Sequence, residues 1–368
     1  MELGACLDRV RERRPLIHCI TNYVTANDVA NLLLACGASP IMADEPEEVE
    51  EITARCAGLC LNLGTPSRRT IPSLMRAGVK AGELGRPVVL DPVGVGASAL
   101  RLRTAQELMA RMRECIERDR GTTPEGIPYV PLSMAENESY KPQTGCATIA
   151  RVAFHGEFEP DDRIVTDLLR LIDACDDREG IPECTGWRSD QSIYTYSSVR
   201  FAQLLLQAGQ REKAADYLYA FANHASASRV WREEQPVRET HSAEICGDMP
   251  HNWASVEFIR LVRNLVVLET FTGVELLPGL PEEWLPRAGD SLVLEKTPTR
   301  FGKLSLELSV RGRGGYLLSV AREDGNQQPQ YLRLHWAGKA VLDGGELEKS
   351  NGKYLLPLEE KQVCIELF

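Results

Sequence analysis

The sequence predicts a multidomain protein in which a parallel α/β sheet is followed by paired helices and then by a small antiparallel β module. Short apolar strands alternate with amphipathic helices up to about residue 112. From residue 161 onward apolar residues recur at helical spacing, and after residue 279 they alternate at a period of two. A chain of 368 residues is also long enough for two or three domains, each with a core of its own.

Charge divides the chain at the same place. Residues 1–112 hold 13 Lys and Arg and 13 Asp and Glu, whereas the remaining residues hold 29 and 40 and therefore carry the whole net charge of −11. All five tryptophans also follow residue 112. We predict domains at 1–112, 129–285 and 286–368, joined by a junction at 113–128 that is charged and then rich in Gly, Thr and Pro.

The composition excludes several classes of function. A net charge of −11 argues against nucleic acid as a partner. No run of 18 apolar residues and no charged-then-apolar leader is present, so we expect no membrane span and a cytoplasmic location. The eleven cysteines are scattered without a CxxC pair, which favours reduced, buried thiols over disulfides or a zinc site.

Helices and strands alternate through the first segment. The patterns predict helices over 3–13, 26–36, 46–55 and 71–84, with a further helix from Thr104, and strands over 16–20, 40–42, 59–63 and 88–90. Repeated β-α units call for a parallel sheet, whose strands end along one rim. Polar residues and glycines follow each strand and would share that rim: Thr21 and Asn22, Met42 to Asp44, Asn62 with Gly64 and Thr65, and Asp91 with Gly94.

Asp91 ends the last predicted strand of this segment and precedes a turn containing Gly94 and Gly96. A carboxylate at the carboxyl end of a parallel strand, beside a glycine turn and a helix start, is a candidate for orienting a metal ion bound to phosphate. The alternative is an ordinary turn or helix-capping aspartate.

Three separated motifs then carry a resemblance. PLIHCITNYVTANDVANLLLACGASPIMADEPEEVEEI, LCLNLGT and GRPVVLDPVGVGAS, within about 15–112, resemble the amino-terminal part of the hydroxyethylthiazole kinases of the ribokinase-like superfamily. These enzymes use ATP and Mg2+ to phosphorylate the hydroxyethyl group of 4-methyl-5-(2-hydroxyethyl)thiazole in thiamine salvage, usually as trimers with the active site between subunits. The likeness implies a truncated ribokinase-like domain.

The resemblance assigns roles to four residues. It implies that Asn22, Val24 and Met42 contact the thiazole and that Asp91 lies near the phosphate and Mg2+. From pattern alone core packing is favoured for Val24 and Met42, and only their place inside the motif favours contact with the thiazole. Cys19 departs from the family, which usually has Asn at this position.

The later motifs of these kinases do not follow in this chain. The strand that ends in RGN, the nucleotide-binding strands and the GTGC turn are absent after residue 112. Gln143-Thr144-Gly145-Cys146 has a similar composition to that turn but follows Tyr140-Lys141-Pro142 and not a buried strand. Because phosphoryl transfer depends on an anion cradle and a nucleotide site, we expect a kinase-like unit that is inactive. The chain leaves its oligomeric state open.

The second segment predicts helices and then strands. The helices are expected over 162–174, 192–208, 211–225 and 253–269, and the strands over 291–296, 304–311, 316–322, 332–336, 353–357 and 362–367. GIPECTGWRSDQSIYTYSS, WREEQ and GDMPHNWASVEFIRLVRNL, with SYKPQTGCATIA and ADYLYAFANHAS, resemble the carboxyl-terminal part of bacterial (α/α)6 six-hairpin glycosidases. The likeness implies a partial helical toroid followed by a β module.

Such glycosidases place two carboxylates around the scissile bond, one as acid and one as base. The resemblance assigns the base to Glu234, with Glu233 as the alternative, and places Trp187, Trp231 and His251 in a sugar-binding wall. The alternative for the glutamate pair is a solvated helix end. Because the preceding barrel helices are missing, we do not expect hydrolysis.

Three hypotheses therefore stand together. The chain is a hydroxyethylthiazole kinase-like protein without its nucleotide-binding half, a glycosidase fragment, or a non-catalytic fusion of two truncated enzymes. Its partner is accordingly a thiazole alcohol or a carbohydrate, and ATP with Mg2+ enters only through the kinase resemblance.

Overall fold

The structure, a computed structural model, describes residues 3–118, 120–131, 159–175, 180–183, 185–186, 192–236, 247–270, 272–312, 314–325 and 327–368. They form two compact units, one ending at Gly121 and the other beginning at Thr122. Within these ranges no helix combines the length and the apolar character needed to cross a bilayer. The sequence predictions for Gln143 to Cys146 and for Trp187 lie outside the described residues.

A four-stranded parallel sheet organises the first unit, as predicted. The strands run in the order β2-β1-β3-β4, and each neighbouring pair is parallel. The elements are α1 (Leu3–Arg13), β1 (Leu16–Ile20), α2 (Ala26–Cys36), β2 (Ser39–Met42), α3 (Val49–Arg55), β3 (Gly58–Asn62), α4 (Thr70–Glu83), β4 (Val88–Asp91) and α5 (Ala99–Arg118).

Two of these helices start elsewhere than predicted. Helix α3 begins at Val49 and not at Pro46, because residues 46–48 form a turn whose end bonds back to the Glu45 carbonyl. Helix α5 begins at Ala99, five residues before Thr104, because the Ser98 hydroxyl accepts a hydrogen bond from the Arg101 N–H at 3.3 Å and caps the first turn.

The core of the first unit lies between the sheet and helices α3, α4 and α5. Leu59 and Leu61 of β3 pack with residues of α4 and α5, among them Leu74 and Leu108. Helix α2, in contrast, has no buried residue. Strand β4 forms one edge of the sheet and leaves Val89 largely exposed. The described residues of the unit therefore leave apolar surface exposed.

The described part of the second unit contains helices interspersed with short strands, followed by a run of strands. The helices are α6 (Arg163–Ala174), α7 (Thr195–Gln207), α8 (Arg211–Asn223) and α9 (Asn252–Val266). The strands are β5 (Gly121–Thr122), β6 (Pro128–Tyr129), β7 (Ser192–Tyr194), β8 (Glu234–Pro236), β9 (Val267–Glu269), β10 (Gly273–Leu276), β11 (Ser291–Thr299), β12 (Gly302–Arg311), β13 (Gly315–Arg322), β14 (Tyr331–Leu334), β15 (Ala340–Leu342), β16 (Gly345–Glu346), β17 (Lys349–Ser350), β18 (Lys353–Leu355) and β19 (Gln362–Leu367); β5 starts at the last residue of the first unit.

Two predicted helices of this unit are partly strand. Residues 192–194 form β7 and pair with β8, so the helix predicted from residue 192 begins at Thr195. The helix predicted to residue 269 ends at Val266, because Val267 and Leu268 are buried in pairing with β10. Local apolar spacing is similar in both states, and pairing with distant strands decides between them.

The β module consists of two sheets around one apolar core. The six-stranded sheet runs β11-β12-β13-β19-β15-β16 and is antiparallel throughout, as predicted. The five-stranded sheet runs β17-β18-β14-β10-β9. Its β10-β14 pair is parallel, and β10 is a strand that was not predicted, since it precedes the residues assigned to the antiparallel module. Side chains such as Leu276, Leu308, Leu334 and Ile365 fill the space between the sheets.

One carboxylate in the five-stranded sheet is buried with cationic partners. His335 donates to Glu275 Oε2 at 2.5 Å, and Lys353 donates to the same oxygen at 3.3 Å. Burial alone raises the pKa of Glu275, but the hydrogen bond from His335 and the charge of Lys353 outweigh it and hold this pKa below its ordinary value.

We predict that Glu275→Gln lowers the free energy of unfolding by about 1–3 kcal/mol at pH 7, because it removes a charged acceptor from a buried site. The folded pKa lies below the unfolded value of about 4.3, so ionised Glu275 stabilises the fold above that pH, and this contribution disappears as the pH falls through the folded pKa. In urea unfolding, the difference in free energy of unfolding between the wild type and Glu275→Gln should therefore be smaller at about pH 3.5 than at pH 7. Exposed Glu295→Gln should show no difference from the wild type at either pH. A difference that is the same at both pH values would contradict the ion-pair account.

Candidate functional site

Parallel pairing places the carboxyl ends of β1, β3 and β4 side by side, and polar side chains occupy this rim. Asn62 ends β3 directly opposite Asp91, the last residue of β4. Asn62 Nδ2 donates to Asp91 Oδ2 at 2.7 Å, and its Oδ1 accepts from Asn22 Nδ2 at 3.0 Å. The amide of Asn62 thus links the two residues that the sequence analysis assigns to thiazole and phosphate.

Asn22 is held by its own loop as well. Its Oδ1 accepts hydrogen bonds from the backbone N–H groups of Val24 at 3.0 Å and Thr25 at 3.1 Å. This turn leads into α2 and explains why an asparagine stands two residues beyond β1. The side chain of Asn22 is buried and fixed from both sides.

Gly64 provides the close approach that this arrangement needs. A Cβ on Gly64 would lie 2.7 Å from both Cβ and Nδ2 of Asn22. The Gly64 N–H also donates to Asn62 Oδ1 at 2.7 Å. Any larger residue at position 64 would displace Asn22.

Arg101 ties the loops that follow β3 and β4 together. Its Nη2 donates to the Gly64 carbonyl at 2.6 Å, and its Nη1 donates to the carbonyls of Leu63 and Val93, the latter at 3.1 Å. Gly94, in the left-handed region at φ +66°, turns beside this guanidinium. Sequence reasoning missed Arg101, although a basic residue in the first turn of a helix after a glycine turn is a recognisable signal.

Val24 and Met42 reach the same rim with exposed side chains. Val24 is 83% exposed and Met42, at the end of β2, is 40% exposed. Neither belongs to the buried core of the unit, so the core-packing alternative does not describe them. Their contact with a thiazole stays a prediction.

A second polar cluster lies at the rim beyond β2. Arg69 donates to both carboxylate oxygens of Asp44 at 2.9 Å, to Glu45 Oε2 at 2.9 Å and to the Tyr23 hydroxyl at 2.9 Å. The hydrogen bonds to Glu45 and Asp44 raise the pKa of Arg69. The carboxylate of Asp44 is therefore engaged by Arg69. Asp44 was predicted to lie on the rim, whereas its partner Arg69 was not predicted.

Cys19, the departure from the family pattern, lies inside the sheet. It is buried on β1 opposite Cys60 of β3. A hydrogen bond between the two thiols, together with burial, raises the pKa of Cys19 and keeps it protonated. The described cysteines 19, 36, 56, 60, 115, 175 and 364 are all free thiols.

The glutamate pair of the second unit lies at β8. Glu234 is buried and its Oε1 accepts a hydrogen bond from the Ser192 hydroxyl at 2.7 Å. Glu233 accepts from the Tyr194 hydroxyl at 3.1 Å. Glu234 is thus a strand residue away from solvent, and the solvated helix end considered in the sequence analysis does not describe it.

His251 lies near Glu233, whereas Trp231 points into the core. His251 Nδ1 is 2.7 Å from Asp248 Oδ1, and the hydrogen bond from His251 lowers the pKa of Asp248. Trp231 stacks on Phe221 with ring centroids 4.6 Å apart, and its indole N–H donates to the Phe221 carbonyl at 2.9 Å. Trp231 is therefore packed against other side chains in the interior, and its contact with a sugar stays a prediction.

Trp253, an exposed tryptophan near His251, was not among the predicted site residues. Trp253 is 59% exposed and stands edge-on to Tyr196, with ring centroids 5.3 Å apart. Its ring also lies 5.9 Å from the His251 ring. Only its position two residues after His251 could have signalled it.

Comparison with known proteins finds relatives for the first third of the chain. The profile of the hydroxyethylthiazole kinase family matches residues 7–123. The hydroxyethylthiazole kinase of Clostridium acetobutylicum is 60% identical over 107 residues, which are 29% of this chain and 39% of that relative. The chain thus spans about two fifths of the length of the curated relatives that it matches.

Among solved structures, the hydroxyethylthiazole kinase protein of Pyrococcus horikoshii OT3 is 48% identical, with a TM-score of 0.29, over 29% of this chain and 42% of that chain. A GH127 β-L-arabinofuranosidase of Geobacillus stearothermophilus T6 aligns with 94% of this chain and 63% of its own, at 10% identity and a TM-score of 0.35. The amino-terminal region of this protein, residues 7–123, is homologous to the hydroxyethylthiazole kinases.

Proposed function

We propose that the first unit binds 4-methyl-5-(2-hydroxyethyl)thiazole at the rim of its sheet without phosphorylating it. The observation that carries the proposal is the hydrogen-bonded chain from Asn22 through Asn62 to Asp91. These residues stand in the three motifs shared with the kinases, and the side chains are already joined before any ligand binds. Binding sites of this preformed kind suit small, rigid ligands.

The chemistry of the rim matches that of a thiazole alcohol. A small aromatic ring needs apolar contact and few polar partners, and exposed Val24 and Met42 offer that contact beside Asn22. The hydroxyl of the ligand is a hydrogen-bond donor, and the Asp91 carboxylate is an acceptor at the opposite end of the hydrogen-bonded series that begins at Asn22. The proposed orientation therefore directs the ring to Asn22 and the hydroxyl to Asp91.

Phosphoryl transfer requires more than this rim provides. Catalysis of that reaction consists mainly of positioning and of charge stabilisation around the phosphate. The family match ends at residue 123, and Arg101 at the glycine turn already donates to the carbonyls of Leu63, Gly64 and Val93. These features support binding without transfer.

Mg2+ fits the rim only in part. This ion binds through one or two carboxylates together with the phosphates of a nucleotide. Asp91 is a suitable ligand, whereas Asn62 Oδ1 already accepts from Asn22 and Gly64. Asp91 would hold Mg2+ when a nucleotide brings it, and the ion would then neutralise phosphate charge.

We predict that calorimetry detects binding of hydroxyethylthiazole to the full chain and that Asn22→Ala weakens it more than tenfold, because the rim loses the residue that orders its first loop. Asn31→Ala is the matched control, since Asn31 is exposed on α2, and it should bind as the wild type does. No heat from the wild type at millimolar ligand would overturn the proposal.

We further predict that Gly64→Ala weakens thiazole binding at least tenfold, because its Cβ would overlap the Asn22 side chain. Gly78→Ala in α4 adds a Cβ at an ordinary 3.6 Å from Leu108 and should leave the affinity within twofold. Equal affinity of the two variants in the same titration would show that Asn22 does not form the site.

Carbohydrate cleavage by the second unit is the second candidate. It is favoured by buried Glu234 on β8, with exposed Trp253 beside His251 in the same unit. We predict that any release of nitrophenol from a panel of aryl glycosides disappears in Glu234→Gln and persists in exposed Glu295→Gln. If no glycoside of the panel releases nitrophenol, this candidate is excluded. If calorimetry also detects no heat with hydroxyethylthiazole, the non-catalytic fusion is the hypothesis that remains.

A further inference from the structure

Three side chains with metal-ligand chemistry converge in the second unit. Glu233, Asp248 and His251 each contribute one ligand atom, and these atoms all lie within 4.8 Å of one another. The set combines one imidazole nitrogen with two carboxylate oxygens. Neither the family match nor the proposed thiazole binding involves these residues, since the match ends at residue 123.

The backbone holds the two segments of this cluster together. The Glu233 N–H donates to the Asp248 carbonyl at 3.2 Å, and the His251 N–H donates to the Trp231 carbonyl at 2.8 Å. Gly247 adopts φ +77°, and a Cβ there would lie 2.1 Å from Glu233 Oε2. Only glycine therefore lets this segment pass so close to the carboxylate.

His251 supplies the observation that points to a ligand. The residue is only 7% exposed, and its Nε2 is buried without a hydrogen-bond partner among the described residues. Its Nδ1 lies 2.7 Å from Asp248 Oδ1, and one of the ring nitrogens belongs to the 4.8 Å cluster. A buried ring nitrogen without a partner is unusual in a folded protein. The imidazole thus lies beside one carboxylate of the cluster and has a second nitrogen that no described residue engages, so it is available as a metal ligand.

We propose that Glu233, Asp248 and His251 bind a divalent transition-metal ion of the Zn2+ class. Nitrogen and oxygen donors suit Zn2+ and Co2+, whereas Mg2+ and Ca2+ prefer oxygen alone. Metal bonds of about 2.1 Å hold ligand atoms at most about 4.2 Å apart. The side chain of Asp248 is exposed and therefore has room to adjust when an ion draws the ligand atoms together.

Three protein ligands leave a coordination position for water or for an exogenous ligand, as in catalytic zinc sites. Tyr194 donates to Glu233 Oε1 at 3.1 Å and fixes the orientation of that carboxylate. Binding of the ion is independent of thiazole binding, so either proposal can fail alone. Glu233 would then be a metal ligand and not the general base of a glycosidase.

The test is a titration of the full chain, without a histidine tag, with Co2+ as a spectroscopic substitute for Zn2+. We expect one equivalent to bind with d–d absorption that lacks the charge-transfer band of a cobalt thiolate, which separates this site from the free cysteines. Asp248→Asn and Glu233→Gln should each weaken this binding at least tenfold.

Asp290→Asn is the matched control, because Asp290 is an exposed aspartate elsewhere in the unit, and its affinity should stay within twofold of the wild type. Circular dichroism establishes that each variant is folded, and exposed Asp248 makes its variant the decisive one. The proposal is overturned if the wild type shows no such absorption at millimolar Co2+, or if folded Asp248→Asn and Glu233→Gln bind as the wild type does.

Discussion

The hydrogen bonds of Asn62 are the interaction on which the site of the first unit depends. Parallel pairing brings three strand ends together, and the Asn62 amide, which accepts from Asn22 and donates to Asp91, joins their side chains. Gly64 and Arg101 preserve that geometry, since one leaves room for Asn22 and the other fixes the loops beyond β3 and β4. The sheet thus provides the positions and the amide provides the connection.

The same sheet has surface that its own residues leave open. Strand β4 is an edge, Val89 is largely exposed, and α2 buries none of its residues. An apolar sheet edge is a template for further pairing. The homologous region spans about two fifths of the length of its relatives.

Much of the first unit could be predicted from sequence, because its signals are local. Apolar strands alternating with capped helices predicted the parallel sheet, and strand ends predicted that Asn22, Asn62 and Asp91 share a rim. The partners of Arg101 could not be predicted in this way, because the carbonyls of Leu63 and Gly64 lie 38 and 37 residues before it in the chain. Position 248 was missed for a similar reason, since only the pairing of 231–233 with 248–251 brings Asp248 to Glu233.

The central claim is that the rim recognises a thiazole alcohol but does not phosphorylate it. The most direct measurement follows one sample that contains the full chain, hydroxyethylthiazole, ATP and Mg2+ by saturation-transfer and 31P nuclear magnetic resonance. The account predicts saturation transfer to the thiazole ring protons, with no phosphate monoester formed on the ligand. A growing monoester resonance, or no saturation transfer at all, would contradict it.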